Sequence, residues 1–229
     1  MAASADCRIG CAGMSPGPVP AGSRLNALLA SAGQPLLDSA QAGHFEELLS
    51  LLLRWNARIN LTAIRDEEGI LARHFVESIC CARALPAGIM TLLDFGSGAG
   101  FPGIPIALCR SEIHVTLAES QGRKAAFLHE AVRVLGISAS VHAQRAEDLE
   151  GLFDCVTLRA VERMEQAVAA AARLVRPGGW LVPMTTKRDL PGIHRAAGQQ
   201  FSWREAIPLP GSEEKVLALG ERQIDSAAH

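Results

Sequence analysis

The chain has 229 residues, 48% of them apolar, enough to bury one full core and to predict a single main domain with an accessory segment. Lysines and arginines total 22 against 24 aspartates and glutamates, so the formal charge is −2 and no global basic excess announces nucleic-acid binding. Six scattered cysteines, Cys7, Cys11, Cys80, Cys81, Cys109 and Cys155, form no C-x-x-C pair, which argues against a metal site or a disulfide framework and for reduced cytosolic thiols.

Residues 1–23 mix Asp6 and Arg8 with Ser15, Pro16, Pro18 and Pro20 and contain no continuous apolar stretch, so they read as a disordered tail rather than a signal peptide. No apolar run approaches the roughly 20 residues that span a bilayer. A cytoplasmic, monomeric protein is expected. Residues 24–88 form the expected helical extension, with apolar residues at helical spacing in three groups: Leu25, Leu28 and Leu29; Phe45, Leu48, Leu49, Leu52 and Trp55; Ile70, Leu71, Phe75 and Ile79. Asp38 and Asp66 stand where they cap the second and third helices.

From residue 89 onward short apolar runs alternate with turns and helical stretches, the pattern of a doubly wound, Rossmann-like α/β sheet. Strands are predicted at 91–95, 114–119, 138–142, 155–158 and 180–184, with the clearest helices at 123–135 and 164–175. Two further strands, 201–207 and 216–219, joined around Pro208-Leu209-Pro210-Gly211, predict an antiparallel hairpin at one sheet edge.

The sharpest local signal is Leu92-Leu93-Asp94-Phe95-Gly96-Ser97-Gly98-Ala99-Gly100-Phe101-Pro102-Gly103, an apolar strand running into glycines at alternate positions. Without a Cβ, backbone can turn through positive φ and lie against a ligand at the carboxyl end of the first strand. The spacing also satisfies a dinucleotide fingerprint, so a nicotinamide cofactor stays open at this point. A Walker loop is excluded because no Lys-Ser or Lys-Thr follows the glycines. Glu119, ending the second strand, suits a ribose diol in either case. The acidic pair in Ala146-Glu147-Asp148 can receive an adenine amino group. With Phe153-Asp154 opening the fourth strand and Arg176-Pro177-Gly178-Gly179 before the fifth, this succession resembles class I methyltransferases using S-adenosyl-L-methionine.

Gly96 through Pro105, Trp55-Asn56 with Asn60-Leu61-Thr62, Arg73-His74-Phe75-Val76-Glu77-Ser78, Gly122-Arg123-Lys124 and Arg159-Ala160-Val161 more closely resemble the RsmG, or glucose-inhibited division protein B, family of 16S rRNA guanine-N7 methyltransferases. The resemblance implies that Gly96, Ser97, Gly98, Gly100 and Phe101 bind the cofactor, with Gly96 and Phe101 lining its methionine part. It further implies Glu119 at the ribose, Ala146 and Glu147 at the adenine, and Arg159 facing cofactor and target base. The chain departs from the family pattern at Glu119, where aspartate is common, at Glu77, also for aspartate, and at Leu158, for serine.

Guanine N7 has a free lone pair and no proton, so methylation needs alignment and exclusion of water rather than a base. The absence of an obvious catalytic base in the sequence agrees with that, and no catalytic residue is assigned. Candidate contacts to the 16S rRNA partner are Arg123, Lys124, Arg163, Lys187 and Arg188, because a parallel sheet brings the ends of its strands to one rim, with Asn60 and His74 of the helical extension beside them. A small-molecule or protein methyltransferase, or a ribosome-associated module that only binds the cofactor, remain the alternatives.

Overall fold

The computed structural model describes residues 19–224. Most of the expected tail, residues 1–18, lies outside them, as do Cys7 and Cys11. The helical extension starts earlier than expected: α1 (Ala21–Ser31) opens directly after Pro20, so residues 21–23 are helix rather than tail. Proline at the N-cap loses nothing there, because the first N–H groups of a helix have no internal acceptor. α2 (Ser39–Asn56) is capped by Asp38, whose carboxylate accepts from the Gln41 N–H at 2.8 Å. Asp66 caps α3 (Glu67–Gly69) in the same way, accepting from the Gly69 N–H.

The third expected helix is interrupted. α3 passes into a π-helical stretch, Ile70–Val76, before α4 (Glu77–Ala84) resumes ordinary geometry. Apolar spacing cannot distinguish the two, since both turn Ile70, Leu71, Phe75 and Ile79 inward.

The sheet follows the expected order. β1 (Thr91–Phe95), β2 (His114–Ala118), β3 (Ala139–His142), β4 (Phe153–Arg159) and β5 (Val175–Thr186) lie parallel in the order β3-β2-β1-β4-β5. α5 (Gly103–Cys109), α6 (Gly122–Leu135), α7 (Met164–Leu174) and α8 (Leu190–Ala197) supply the covering helices. The antiparallel edge is present, but the predicted strand 201–207 is broken in two, and 216–219 is shortened to end at Leu217, with a further strand beyond it. β6 (Phe201–Trp203) pairs with β9 (Gly220–Arg222), while β7 (Ile207–Pro208) pairs with β8 (Lys215–Leu217). Past β7 the Leu209 N–H still donates to the Lys215 carbonyl at 2.9 Å, and Pro210, which has no N–H, follows it.

Side chains alternate between two cores as strand geometry requires. Leu92, Val115, Leu117, Cys155 and Val182 face one core, into which α1, α2, α4, α5 and α6 also pack. Leu93, Ala118, Val156, Leu158 and Leu181 face the other, closed by α7 and α8 and rich in alanine. The helical extension thus joins the larger core and reaches the carboxyl end of the sheet.

Candidate active site

The register aligns Phe95 with Ala118 on one side and with Leu158 on the other, so the chain leaves β1, β2 and β4 at one level. This is where strand order reverses, the place at which open α/β sheets form their ligand crevice. A cleft of about 730 Å³ opens there.

Its floor is held by Asp94, fully enclosed beneath the glycine turn. Oδ2 accepts from the Gly103 N–H at 3.1 Å and Oδ1 from the Thr157 hydroxyl at 3.0 Å, tying the start of α5 to β4. Burial pushes this carboxyl up to about 6, although the bonds from Thr157, Ser97 and Gly103 pull the other way. The Ser97 N–H donates to the Ala118 carbonyl at 2.9 Å, and its hydroxyl donates to the Asp94 carbonyl, also at 2.9 Å.

Glu119 is fixed at the cleft edge. Its carboxylate accepts from the Gly98 N–H at 3.0 Å and from the Gln121 N–H at 2.7 Å. The longer glutamate arm therefore still ends against the glycine turn, with lone pairs left for two further donors. A Cβ at Gly98 would meet nothing nearer than 3.9 Å, so the hydrogen-only side of this residue faces open cleft. Backbone amides, a pinned carboxylate and an open glycine face fit the ribose and methionine portions of S-adenosylmethionine.

Gly96, Ser97, Gly98, Phe101, Glu119, Ala146 and Glu147 all line the cleft. Gly100 does not. A Cβ there would run into Ile104 and Leu128, so the glycine serves the packing of α5 and α6 behind the turn. Asp148, next to Glu147, also falls outside the lining.

Arg159 ends β4. It lines the cleft, yet its guanidinium is directed into the helical extension, donating to Glu77 Oε2 at 2.7 Å, the Arg73 carbonyl at 2.7 Å and Ser78 Oγ at 3.3 Å. Glu77, 2% exposed, also accepts from Lys215 Nζ at 2.8 Å. Arg159 thus clamps β4 to the extension and, through Glu77, to the C-terminal edge. A buried carboxylate needs such partners, because an uncompensated charge there costs several kcal/mol.

Of the RNA candidates, Lys124, Arg163 and His74 line the cleft, whereas Arg123, Lys187, Arg188 and Asn60 are exposed outside it. Asn60 accepts from Arg65, and Arg188 lies 3.6 Å from Asp189. Asn56 serves structure: its Oδ1 accepts from the Leu61 and Thr62 N–H groups and pins the turn after α2. His74 stacks on Phe101, ring centroids 4.8 Å apart and planes within 11°. Its pKa is drawn down to about 3 by burial and then by the charges of Arg159, Lys215 and Arg73, leaving a neutral imidazole.

Sequence reasoning did not assign Leu61, Thr62, Gln144, Arg145, Glu162 or Gln166 to the site, yet all line it. Thr62 carried a signal in Asn60-Leu61-Thr62; the others are placed by loop paths that periodicity does not encode.

The rRNA small subunit methyltransferase G (GidB) family model matches residues 41–205. A ribosomal RNA small subunit methyltransferase G of Roseiflexus sp. is 36% identical over 197 residues, covering 80% of this chain and 84% of that protein. The protein of the same name from Stenotrophomonas maltophilia is 43% identical over 176 residues, 75% of this chain and 81% of its own. Among solved structures, a T. thermophilus 16S rRNA N2 methyltransferase (RsmC), in complex with AdoMet and guanosine, superposes with a TM-score of 0.51 at 16% identity. That match covers 68% of this chain and 41% of that one, and it bears on the fold alone. With its glycine turn, its pinned Glu119 and these relatives, the chain belongs to the rRNA small subunit methyltransferase G family.

Proposed function

We propose that this protein transfers a methyl group from S-adenosyl-L-methionine to N7 of a guanine in bacterial 16S ribosomal RNA, in the small subunit or its precursor. The observation that carries the reading is the cradle at the end of β1, where Glu119 is bound by the Gly98 and Gln121 amides beside a glycine face open to the cleft. Glu119 would accept from the ribose hydroxyls, Ala146 and Glu147 would border the adenine, and Gly96, Ser97, Gly98 and Phe101 would line the methionine arm. The cofactor, when bound, supplies an electrophilic methyl group on a sulfonium.

The protein's own part is positioning. Since N7 carries no proton, none of the cleft residues has to act as a base. Glu119 is held by the Gly98 and Gln121 amides with its remaining lone pairs left for the ribose, His74, drawn down to about 3 by burial, is a weak base, and Arg159 is paired with Glu77. The walls formed by Phe101 and His74 on one side and the turn after β4 on the other hold a flat base and exclude water.

Lys124, Arg145 and Arg163 line the rim, and none forms an ion pair among the described residues. They are suited to RNA phosphates, with Arg123 and Lys187 as outer contacts; replacing Arg123 and Lys124 by alanine weakens RNA binding in a salt-dependent way. Among the described residues no helix is long and apolar enough to cross a membrane.

The test is labelled methyl transfer to small subunits from cells lacking this enzyme, beside free 16S rRNA, protein and small-molecule acceptors. Label is expected in the RNA as N7-methylguanine. Transfer only to protein or small molecules replaces the substrate assignment. Binding of S-adenosylhomocysteine without transfer to any acceptor identifies a binding module instead.

A further inference from the structure

His74 holds one hydrogen-bonding group that the protein itself does not use. Its Nε2 lies 2.7 Å from the Thr62 hydroxyl, which also accepts from the Ile64 N–H at 3.2 Å. Among the described residues the hydroxyl proton has no other acceptor, so we assign this bond with Thr62 donating and Nε2 accepting. A neutral imidazole that accepts at one nitrogen carries its proton on the other. That nitrogen, Nδ1, is closed off from solvent and has no partner among the described residues.

A buried donor without an acceptor is costly, and folded proteins rarely keep one without a use for it. This one belongs to a ring that lines the cleft and stacks on Phe101 of the glycine turn. We propose that His74 Nδ1–H is a donor kept for an acceptor oxygen of the bound reactants, either the carboxylate of the cofactor or O6 of the target guanine. The inference rests on the methyltransferase reading above. A neutral donor suits that chemistry, because methylation at N7 leaves the purine positively charged and an imidazolium beside it would oppose the transfer. The Thr62 bond fixes which nitrogen holds the proton, so Thr62 acts as a positioning residue through His74.

Three substitutions separate the donor from the rest of the ring. H74N places an amide N–H near the position of Nδ1 and keeps the donor. H74Q reaches toward Thr62 in place of Nε2 and loses it. H74F keeps the ring on Phe101 and loses both polar atoms. Calorimetry with S-adenosylhomocysteine and with 5′-methylthioadenosine, which has no carboxylate, is read beside kcat/KM on unmethylated small subunits. If the oxygen is the carboxylate, H74Q and H74F bind S-adenosylhomocysteine about tenfold more weakly and 5′-methylthioadenosine unchanged. If it is guanine O6, both ligands bind as in wild type and kcat/KM falls by about tenfold. H74N stays near wild type in either case. The proposal is overturned if H74Q and H74F match wild type in every measurement, or if H74N loses as much as H74F. It is equally overturned if 1H–15N spectra of the wild-type protein place the ring proton on Nε2. Wild-type protein that binds S-adenosylhomocysteine but methylates no guanine defeats the substrate assignment instead, and leaves the binding and spectroscopic results to decide the donor.

Discussion

The turns leaving β1 and β4 meet across the cleft and are built in opposite ways. After β1 the chain runs through positive φ at Gly96, Gly98 and Gly100, where a missing Cβ makes that conformation easy. After β4 it enters the same region at Ala160, φ +50°, and Arg163, φ +51°, residues that carry side chains and lose about 1–2 kcal/mol each for the conformation. The two touch: a Cβ at Gly96 would lie 3.3 Å from a Val161 methyl. One wall therefore offers backbone and the other offers side chains, and among the described residues such strain falls only where the side chain itself lines the cleft.

The hardest way to break the first wall is to fill it. Gly98→Val adds a branched side chain on the open face, and S-adenosylhomocysteine affinity is expected to fall at least about 100-fold, beyond the roughly 2.7 kcal/mol of two well-placed contacts. The variant displaces no neighbouring atom but holds a β-branched residue at a φ of +56°, so it stays folded with a stability loss of about 1–3 kcal/mol. Calorimetry beside thermal unfolding checks both halves, and wild-type affinity would remove the glycine turn from the cofactor site.

Gly100→Ala sharpens the same wall from behind. Its methyl enters space held by Ile104 and Leu128 at a φ of +85°, so stability falls by about 2–4 kcal/mol. Denaturant titration reads the loss. A variant that loses affinity with unchanged stability would return Gly100 to the lining.

Asp94 holds the floor that both turns share, and its folded pKa of about 6 stands above the usual 3.8. The sign follows from the raised value: its contribution to stability is fully present below about pH 3.8 and is lost as pH rises through about 6. Roughly 2 units correspond to roughly 3 kcal/mol. Asp94→Asn can still accept from the Gly103 N–H but does not titrate, so its stability relative to wild type rises by about 2–3 kcal/mol from acid to neutral pH. Urea titrations at both pH values test this, and a difference independent of pH would contradict it.

How much of this was legible depends on what each wall is made of. The glycine turn, the five parallel strands and Glu119 were readable because glycine spacing and strand alternation state local backbone requirements directly. The Asp38 and Asp66 caps were readable for the same reason. The clamp on Arg159 was not, because Glu77, Arg73 and Lys215 lie on elements far apart in sequence and nothing in their spacing pairs them. Gly100 looked like its neighbours in the motif, yet a Cβ count cannot say whether the space beyond is cleft or core. The π-helical stretch at Ile70–Val76 was hidden by an apolar pattern that an α-helix satisfies equally well, although it carries His74 and the Arg73 carbonyl to the site.

The second wall gives the smallest and most discriminating effect. Arg163→Gly and Ala160→Gly each remove a strained side chain, a gain that the greater freedom of glycine in the unfolded chain partly offsets. Stability is therefore expected to change little or to rise by up to about 1 kcal/mol. Activity should move the other way, more for Arg163, which loses a rim cation, than for Ala160, which loses only a methyl group. Rising stability with falling kcat/KM and unchanged S-adenosylhomocysteine affinity would separate the β4 turn from the cofactor wall and assign it to the acceptor. Equal losses of stability and activity would instead make Ala160 and Arg163 ordinary packing residues whose backbone conformation has no bearing on the base.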